Sequence, residues 1–254
     1  MSDLRSGAVA LRVTDPVVDL LRNPEGARDR QLLYGEGVTL FEDRDGWGYV
    51  RAAKDGYVGY VARSALGAQV SSTHWVGTLA THVYRAADIK SPELCSLSFG
   101  SRVHVTSQSG DLSACAGGFV PSVHLEPLET LFSDPVCVAE LFVGTPYLWG
   151  GNSRLGIDCS GLVQAALVAC GHACPGDSGQ QESQVGEFLP QNTAPERGDL
   201  LFWRGHVAII VDRDTIIHAN AHSMAVSSEP MVPAIQRIAA QGGGNVRAHK
   251  RLPV

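Results

Sequence analysis

The sequence has no long apolar run and no dense block of basic residues. A membrane-spanning helix needs roughly 18 or more consecutive apolar residues, and no such stretch occurs. The first 21 residues also lack the continuous apolar core of a signal peptide. Charged residues interrupt them at five positions: Asp3, Arg5, Arg12, Asp15 and Asp19. We therefore expect a cytoplasmic protein with no membrane association.

The charge pattern also narrows the possible partners. The net charge is −6, and lysines and arginines are scattered, which gives no support for nucleic-acid binding. A negative protein is also poorly attracted to an anionic polymer by its overall charge. Hydrophobic residues make up 44% of the chain and charged residues 18%, as in an ordinary globular protein.

The six cysteines would permit disulfides in an exported protein, but in the cytoplasm we expect them to be reduced. The segment Cys170-Gly171-His172-Ala173-Cys174 contains residue types that bind zinc. No matching second cluster lies nearby, so we favour a helix end followed by a loop. The sequence predicts no metal and no cofactor.

One cysteine has the position of a nucleophile. From Asp158-Cys159-Ser160-Gly161, apolar residues follow at helical spacing to Cys170, and Gly171 stands where a helix usually ends. Cys159 then lies in the first turn, where unpaired N–H groups and the helix dipole favour a thiolate. A buried, inert cysteine is the alternative for any single residue of this kind.

Two histidines are the candidate bases. Residues 206–211 and 215–218 are typical of short apolar strands. If Asp212-Arg213-Asp214 forms a three-residue hairpin loop, His206 and His218 are diagonal neighbours on one face, about 7–8 Å apart at their backbones. A two-residue loop would place them on opposite faces. With Cys159 they are typical of a nucleophile, a base and its orienting group.

Four motifs in order resemble the NlpC family of bacterial cell-wall cysteine peptidases. They are Thr145-Pro146-Tyr147-Leu148-Trp149-Gly150-Gly151, Asp158-Cys159-Ser160-Gly161-Leu162-Val163, Gly205-His206-Val207-Ala208 and Ile217-His218. The resemblance covers about residues 130–253, and we expect the peptidase domain at residues 130–254. It implies an α+β, papain-like domain in which a helix carrying Cys159 packs on an antiparallel sheet, and hydrolysis of peptidoglycan stem peptides.

The same resemblance implies roles for residues around the nucleophile. It makes the Tyr147 hydroxyl a donor to the oxyanion, with a plain core tyrosine as the alternative. It assigns Asp158 and Ser160 to substrate binding, although Asp158 would serve equally as a helix cap. It also assigns Ser178 to the lining of the substrate pocket.

The first half of the chain predicts two small β-barrels. Residues 1–16 are a lead-in, and residues 17–68 alternate apolar residues with Asp-Gly turns, as at Asp45-Gly46-Trp47 and Asp55-Gly56-Tyr57. They resemble the bacterial SH3-like domain that often precedes peptidases of this family. A weaker repeat of the pattern indicates a second, diverged barrel at residues 74–128.

Enzymes of this family with SH3-like domains include intracellular forms that cut L-Ala-γ-D-Glu peptides before the diamino acid. In those, the first barrel binds the free amino terminus, and Glu36 and Tyr57 match barrel residues with that role. A solvated turn glutamate is the alternative for Glu36. The resemblance thus implies a murein-peptide recycling enzyme, and we expect it to be a monomer. An amidase or acyltransferase on the same scaffold, or a non-catalytic wall-fragment binding protein, remains open.

Overall fold

The computed structural model describes residues 7–115, 117–190 and 192–253. The chain divides into two compact units, residues 1–130 and 131–254, and each is described by itself. Among the described residues, no helix combines the length and the apolar character needed to span a bilayer.

The first unit begins with a barrel whose seven strands form one antiparallel sheet in the order β3-β2-β6-β5-β4-β1-β7. Alternate residues point inward, and Val18, Leu20, Val38 and Leu40 are buried in its core. The strands are β1 Val9–Val13, β2 Val17–Leu21, β3 Arg28–Leu33, β4 Gly37–Arg44, β5 Trp47–Ala52, β6 Val58–Ala62 and β7 Leu66–Ala68.

The predicted Asp-Gly turn joins β4 to β5. Asp45 and Gly46 have φ values of 52° and 82°. Positive φ at both central residues is the requirement of a two-residue type I′ hairpin, which Asp-Gly meets readily. Arg44 and Trp47 therefore face each other across the hairpin.

The assignment of residues 1–16 to a lead-in is wrong for Val9–Val13. This segment is a barrel strand that pairs with β4 and β7. Leu11 and Val13 alternate inward and are buried, so burial of this apolar side holds the segment in the sheet. Residues 1–6 of the predicted lead-in lie outside the described residues.

A second β assembly completes the first unit. Its sheets have the orders β10-β9-β14-β13-β12 and β11-β8-β15, around a core that includes Val76, Val83, Leu97 and Val120. The strands are β8 His74–Val76, β9 Ala80–Tyr84, β10 Glu93–Ser98, β11 Arg102–Val103, β12 Ser107–Ser109, β13 Leu112–Cys115, β14 Gly118–Pro121 and β15 Leu125–Pro127.

The second unit has helices packed on an antiparallel sheet of order β18-β23-β19-β20-β21-β22. Its helices are α1 Pro135–Leu141, α2 Cys159–Ala169, α3 Ser178–Gln184 and α4 Met231–Ile238. Its strands are β16 Asn152–Ser153, β17 Gly156–Ile157, β18 Glu187–Phe188, β19 Leu200–Trp203, β20 His206–Ile210, β21 Thr215–Asn220, β22 Ala225–Pro230 and β23 Ala248–Arg251. The predicted α+β class is confirmed.

Two contacts of the sheet position the site. Helix α2 packs against β20 and β21, which brings its first turn to the strands that carry the histidines. Helix α4 follows β22 directly and buries Ala234 and Ile238 against Trp203, Ala208 and Ile216 of the sheet.

Candidate active site

The first turn of α2 is built around the side chain of Asp158, which is buried. Its Oδ1 accepts hydrogen bonds from the Gly161 N–H at 2.6 Å and from the Ser160 hydroxyl at 3.1 Å. Its Oδ2 accepts from the Gly150 N–H at 2.9 Å. Asp158 is therefore a helix cap that also fixes the loop before β16, and Ser160 is engaged with it. Cys159 is held between them as the first residue of α2.

Cys159 is 7% exposed, and the expectation of a resting thiolate is wrong. Burial, together with the negative charge of Asp158, raises the pKa of the thiol to about 12. Backbone N–H groups of Val207, Ser160 and Cys159 itself act in the opposite direction, as a helix start should, but they do not outweigh burial. Because Val207 follows His206 in the chain, its N–H also locates the thiol beside the start of β20.

The hairpin that carries the histidines has one of the two registers that the sequence left open. Ile209 pairs with Ile217 and Ile210 with Ile216, and the Val211 N–H donates to the Thr215 carbonyl. The loop is therefore the three-residue form. It makes the two histidines diagonal neighbours on one face of the sheet.

In this register the histidine side chains contact each other. Nε2 of His206 lies 2.8 Å from Nδ1 of His218, and the ring centroids are 5.0 Å apart. The other ring nitrogen of His206, Nδ1, therefore remains available for another partner. The Trp203 ring packs at 5.6 Å from the His206 ring and helps to fix its position.

Burial favours the neutral form of both histidines in the free protein. Burial and the neighbouring His218 lower the pKa of His206 to about 3. Burial also lowers the pKa of His218, against the opposing effect of Glu229. A neutral imidazole can take a proton, so His206 has the form that a general base requires.

Glu229 and Arg237 belong to the same group of contacts, and sequence reasoning missed both. His218 Nε2 lies 2.6 Å from Glu229 Oε1, and the Arg237 guanidinium is hydrogen-bonded to that oxygen. Although burial opposes it, Arg237 and His218 hold the pKa of Glu229 below its usual value. Glu229 is therefore a carboxylate acceptor behind His218.

Tyr147 lies close enough to Cys159 for their charges to interact. Its main-chain N–H donates to the Met224 carbonyl at 2.9 Å, and the next residue, Leu148, bonds to Ile157. Burial, followed by the charges of Cys159 and Asp158, raises the pKa of its hydroxyl to about 12. Tyr147 is half-buried and presents a neutral hydroxyl, which is the form that can donate a hydrogen bond.

Ser178 begins α3, where it is half-buried. Three residues later, the fully buried Gln181 donates from Nε2 to the carbonyls of Ser160 and Pro175, each at 2.9 Å. Helix α3 is thereby tied to the first turn of α2. The helix ends at Gln184, before Gly186 with its φ of 62°.

Glu36 and Tyr57 belong to the first unit. Glu36 is 6% exposed, so the alternative of a solvated turn glutamate is wrong. Its Oε1 accepts from Lys54 Nζ at 2.8 Å, whereas Oε2 is buried and has no hydrogen-bond partner among the described residues. Tyr57 is half-buried against the barrel core, and its main-chain N–H donates to Asp55.

Comparisons with known proteins agree with the two parts of the chain. Residues 144–238 match the model of the NlpC/P60 family, and residues 20–66 match the model of the bacterial dipeptidyl-peptidase Sh3 domain. The chain is 30% identical over 220 residues to dipeptidyl-peptidase 6 of Lysinibacillus sphaericus, which covers 75% of this chain and 79% of that protein.

Two other similarities extend over most of the chain. A γ-D-glutamyl-L-lysine dipeptidyl-peptidase of Bacillus subtilis is 27% identical over 212 residues, which are 74% of this chain and 71% of that protein. A crystal structure of an NlpC/P60 family protein from Bacillus cereus superposes with a TM-score of 0.79 at 19% identity. It covers 96% of this chain and 100% of its own, so it shows the same fold.

Proposed function

The chain belongs to the NlpC/P60 family and is a cysteine peptidase, and from that premise we propose that it hydrolyses peptides derived from peptidoglycan. The bond it cuts joins the γ-carboxyl of D-Glu to the diamino acid in L-Ala-γ-D-Glu-diamino-acid peptides with a free amino terminus. The names of its relatives in Lysinibacillus sphaericus and Bacillus subtilis, both dipeptidyl-peptidases, support this choice. The observation that carries the chemistry is the buried Cys159 thiol beside the strand that begins at His206.

In this proposal Cys159 is the nucleophile and His206 the general base. Because His206 Nε2 is engaged with His218, Nδ1 takes the thiol proton as Sγ attacks the γ-carbonyl of D-Glu. The same proton passes to the departing amine of the diamino acid. Water then attacks the thioester, with His206 again as base, and releases the dipeptide.

The oxyanion of the tetrahedral intermediate needs donors that are already in place. The backbone N–H of Cys159, at the start of α2, supplies one of them in this proposal. The Tyr147 hydroxyl supplies the second, since it is neutral and close to Sγ. Its charge interaction with Cys159 supports this role, because the developing oxyanion is the oxygen bonded to the carbon that Sγ attacks.

Asp158 and Ser160 contribute to substrate binding chiefly by holding the first turn of α2, since their polar atoms already bond to each other and to the backbone. Ser178 lines the pocket from the first turn of α3. The Gln181 contact with the Ser160 carbonyl supports that assignment, because it ties the helix of Ser178 to the nucleophile's helix.

The free amino terminus of the substrate is bound by the first barrel in this proposal. Glu36 is the carboxylate assigned to that ammonium in this proposal: Oε1 keeps its bond to Lys54, and the buried Oε2, which has no hydrogen-bond partner among the described residues, is uncovered to accept from the substrate. Tyr57 supplies an apolar wall next to that ammonium. A blocked amino terminus would offer Glu36 no charge and would add bulk against Tyr57.

The cellular location and the oligomeric state of the enzyme are part of this proposal. It acts as a cytoplasmic monomer on released wall fragments, which cell fractionation and light scattering test. The function itself is tested by incubating the protein with L-Ala-γ-D-Glu-L-Lys and identifying the products by mass spectrometry. Release of L-Ala-D-Glu and lysine supports the proposal. A known enzyme of this type, which should convert a control substrate completely, serves as the positive control. If that control succeeds and this protein leaves the peptide intact, the proposal is contradicted.

A further inference from the structure

We propose that Glu229, anchored by Arg237, sets the tautomers of both histidines and thereby directs the basic nitrogen of His206 toward Cys159. Glu229 is a positioning residue in this account, since it acts through His218. The inference rests on the proposed roles of Cys159 and His206.

The sheet register aligns the three side chains. His218 on β21 pairs with Ser227 on β22, and Ile216 pairs with Glu229. Glu229 is therefore a diagonal neighbour of His218 on one side, as His206 is on the other. The three residues form a row across adjacent strands, with contacts of 2.8 Å and 2.6 Å between successive polar atoms.

Arg237 fixes the far end of this row. It extends from α4, and its guanidinium bonds to the same Glu229 oxygen that faces His218. The Glu229 and Arg237 side chains are about one-fifth exposed, whereas the His218 side chain is fully buried. An ionised Glu229 at this position has no proton to donate, so it acts toward His218 only as an acceptor.

The proton positions then follow one from another. His218 Nε2 must carry a hydrogen in order to donate to the Glu229 carboxylate. A neutral imidazole has one N–H, so His218 Nδ1 is an acceptor. His206 Nε2 must therefore carry the hydrogen that it donates to His218. The unprotonated nitrogen of His206 is then Nδ1, the atom proposed to take the Cys159 proton.

The charges around His218 act in the same sense. The groups that face it are His206 on β20, Glu229 on β22, Arg237 on α4 and His222 after β21. Among these, only Glu229 favours a positive charge on the histidines, and it acts on both of them. Loss of its charge should therefore weaken His206 as a base and destabilise the imidazolium formed during attack.

A purely structural role for Glu229 makes different predictions. The Glu229–Arg237 pair joins α4 to the sheet, and its loss would then lower the thermal midpoint without moving any proton. Nitrogen-15 NMR of imidazole-labelled protein separates the two roles, because protonated and unprotonated ring nitrogens give distinct resonances. In the unmodified protein, we expect hydrogen at Nε2 of both His206 and His218.

The variants are Glu229→Leu, Glu229→Gln and the matched control Glu187→Leu, which removes an exposed glutamate of the same sheet. Glu229→Leu should shift His218 toward the Nδ1–H tautomer and lower kcat roughly a hundredfold or more. This loss lies between the smaller loss expected when an outer contact is removed and the larger loss expected when a catalytic histidine has the wrong tautomer. Glu229→Gln keeps an acceptor oxygen, so it should keep the tautomers and lose only about tenfold. Glu187→Leu should change neither.

Hydrogen at Nδ1 of either histidine in the unmodified protein overturns the inference, and so does a folded Glu229→Leu with unchanged tautomers and kcat. If Glu229→Leu does not fold, the spectrum of the unmodified protein still decides. Failure of the proposed function is distinguishable, because it would appear as intact L-Ala-γ-D-Glu-L-Lys after incubation with the unmodified protein, or as peptide cleavage by Cys159→Ala, whatever tautomers the NMR spectrum shows.

Discussion

His206 Nε2 and His218 Nδ1 lie 2.8 Å apart, so the two rings share one hydrogen bond and each uses one of its nitrogens for the other. His206 keeps Nδ1 for the thiol, and His218 keeps Nε2 for Glu229. The two histidines therefore have unequal tasks, one as a base and the other as its support. This inequality leads to distinct predictions for their substitutions.

Substitution of Cys159 or His206 by alanine should abolish cleavage of L-Ala-γ-D-Glu-L-Lys while leaving the fold intact. The two losses should not add in the double variant, because both residues serve the same step. The measurement is kcat/KM for the single and double variants, with circular dichroism as a check on folding. Cys170→Ala, at the other end of α2, is the control and should keep full activity. Activity above a few per cent in Cys159→Ala would sink the mechanism.

His218→Asn and His218→Gln should retain measurable activity. Each amide has an oxygen that can accept from His206 Nε2 and an NH₂ group that can donate toward Glu229. His218→Ala should lose considerably more, because it leaves His206 without its acceptor and opens a cavity beside it. The three kcat values give the comparison. Equal and complete loss in all of them would mean that the amides cannot replace His218.

The rate of Cys159 alkylation should rise steadily with pH. The thiolate is the reactive form, and a pKa raised to about 12 leaves little of it at neutral pH. Each added pH unit below that pKa should therefore increase the rate about tenfold. Iodoacetamide labelling, followed by mass spectrometry of the peptide that contains residue 159, measures this. A plateau beginning near neutral pH would indicate a preformed thiolate and contradict the account.

Some parts of the site could be predicted from the sequence, and other parts could not. The sequence limited the hairpin to two registers, of which the three-residue loop puts both histidines on one face, and the Val211–Thr215 hydrogen bond in the structure decides between them. The contribution of Glu229 could not be predicted from the sequence. Strand β22 reads Ala-Val-Ser-Ser-Glu-Pro, and it has no apolar alternation to reveal which of its faces is buried.

Most of the site properties that could not be predicted from the sequence depend on burial of the side chains. The start of α2 was predictable from Asp158 and its end from Gly171, and with the start the helix dipole at Cys159. The desolvation that outweighs the dipole depends on the strands packed around the thiol, which no local pattern encodes. Likewise, the sequence indicated Glu36 as a candidate, but its contact with Lys54 joins residues 18 positions apart.

Acetylating the substrate's amino group should lower kcat/KM for the unmodified enzyme by about ten- to a hundredfold, the value of one charge-assisted hydrogen bond. The effect is limited because Glu36 keeps Lys54 as a partner when the ammonium is lost. Glu36→Gln should reduce cleavage of the free peptide and shrink the difference between free and acetylated peptides. The control is Glu42→Gln, an exposed glutamate of the same barrel. Equal rates for both peptides with the unmodified enzyme would remove the first barrel from substrate recognition.

Cleavage of L-Ala-γ-D-Glu-L-Lys in oxygen-18 water tests the central claim most directly. Hydrolysis through a Cys159 thioester should place one oxygen-18 atom in the released L-Ala-D-Glu, and fragmentation in the mass spectrometer should locate it in the γ-carboxyl group. Cys159→Ala should release no labelled product. An unlabelled dipeptide joined to a second amine would indicate an acyltransferase. Label in lysine or at another carboxyl group would indicate that a different bond is cut. Either result would contradict the account.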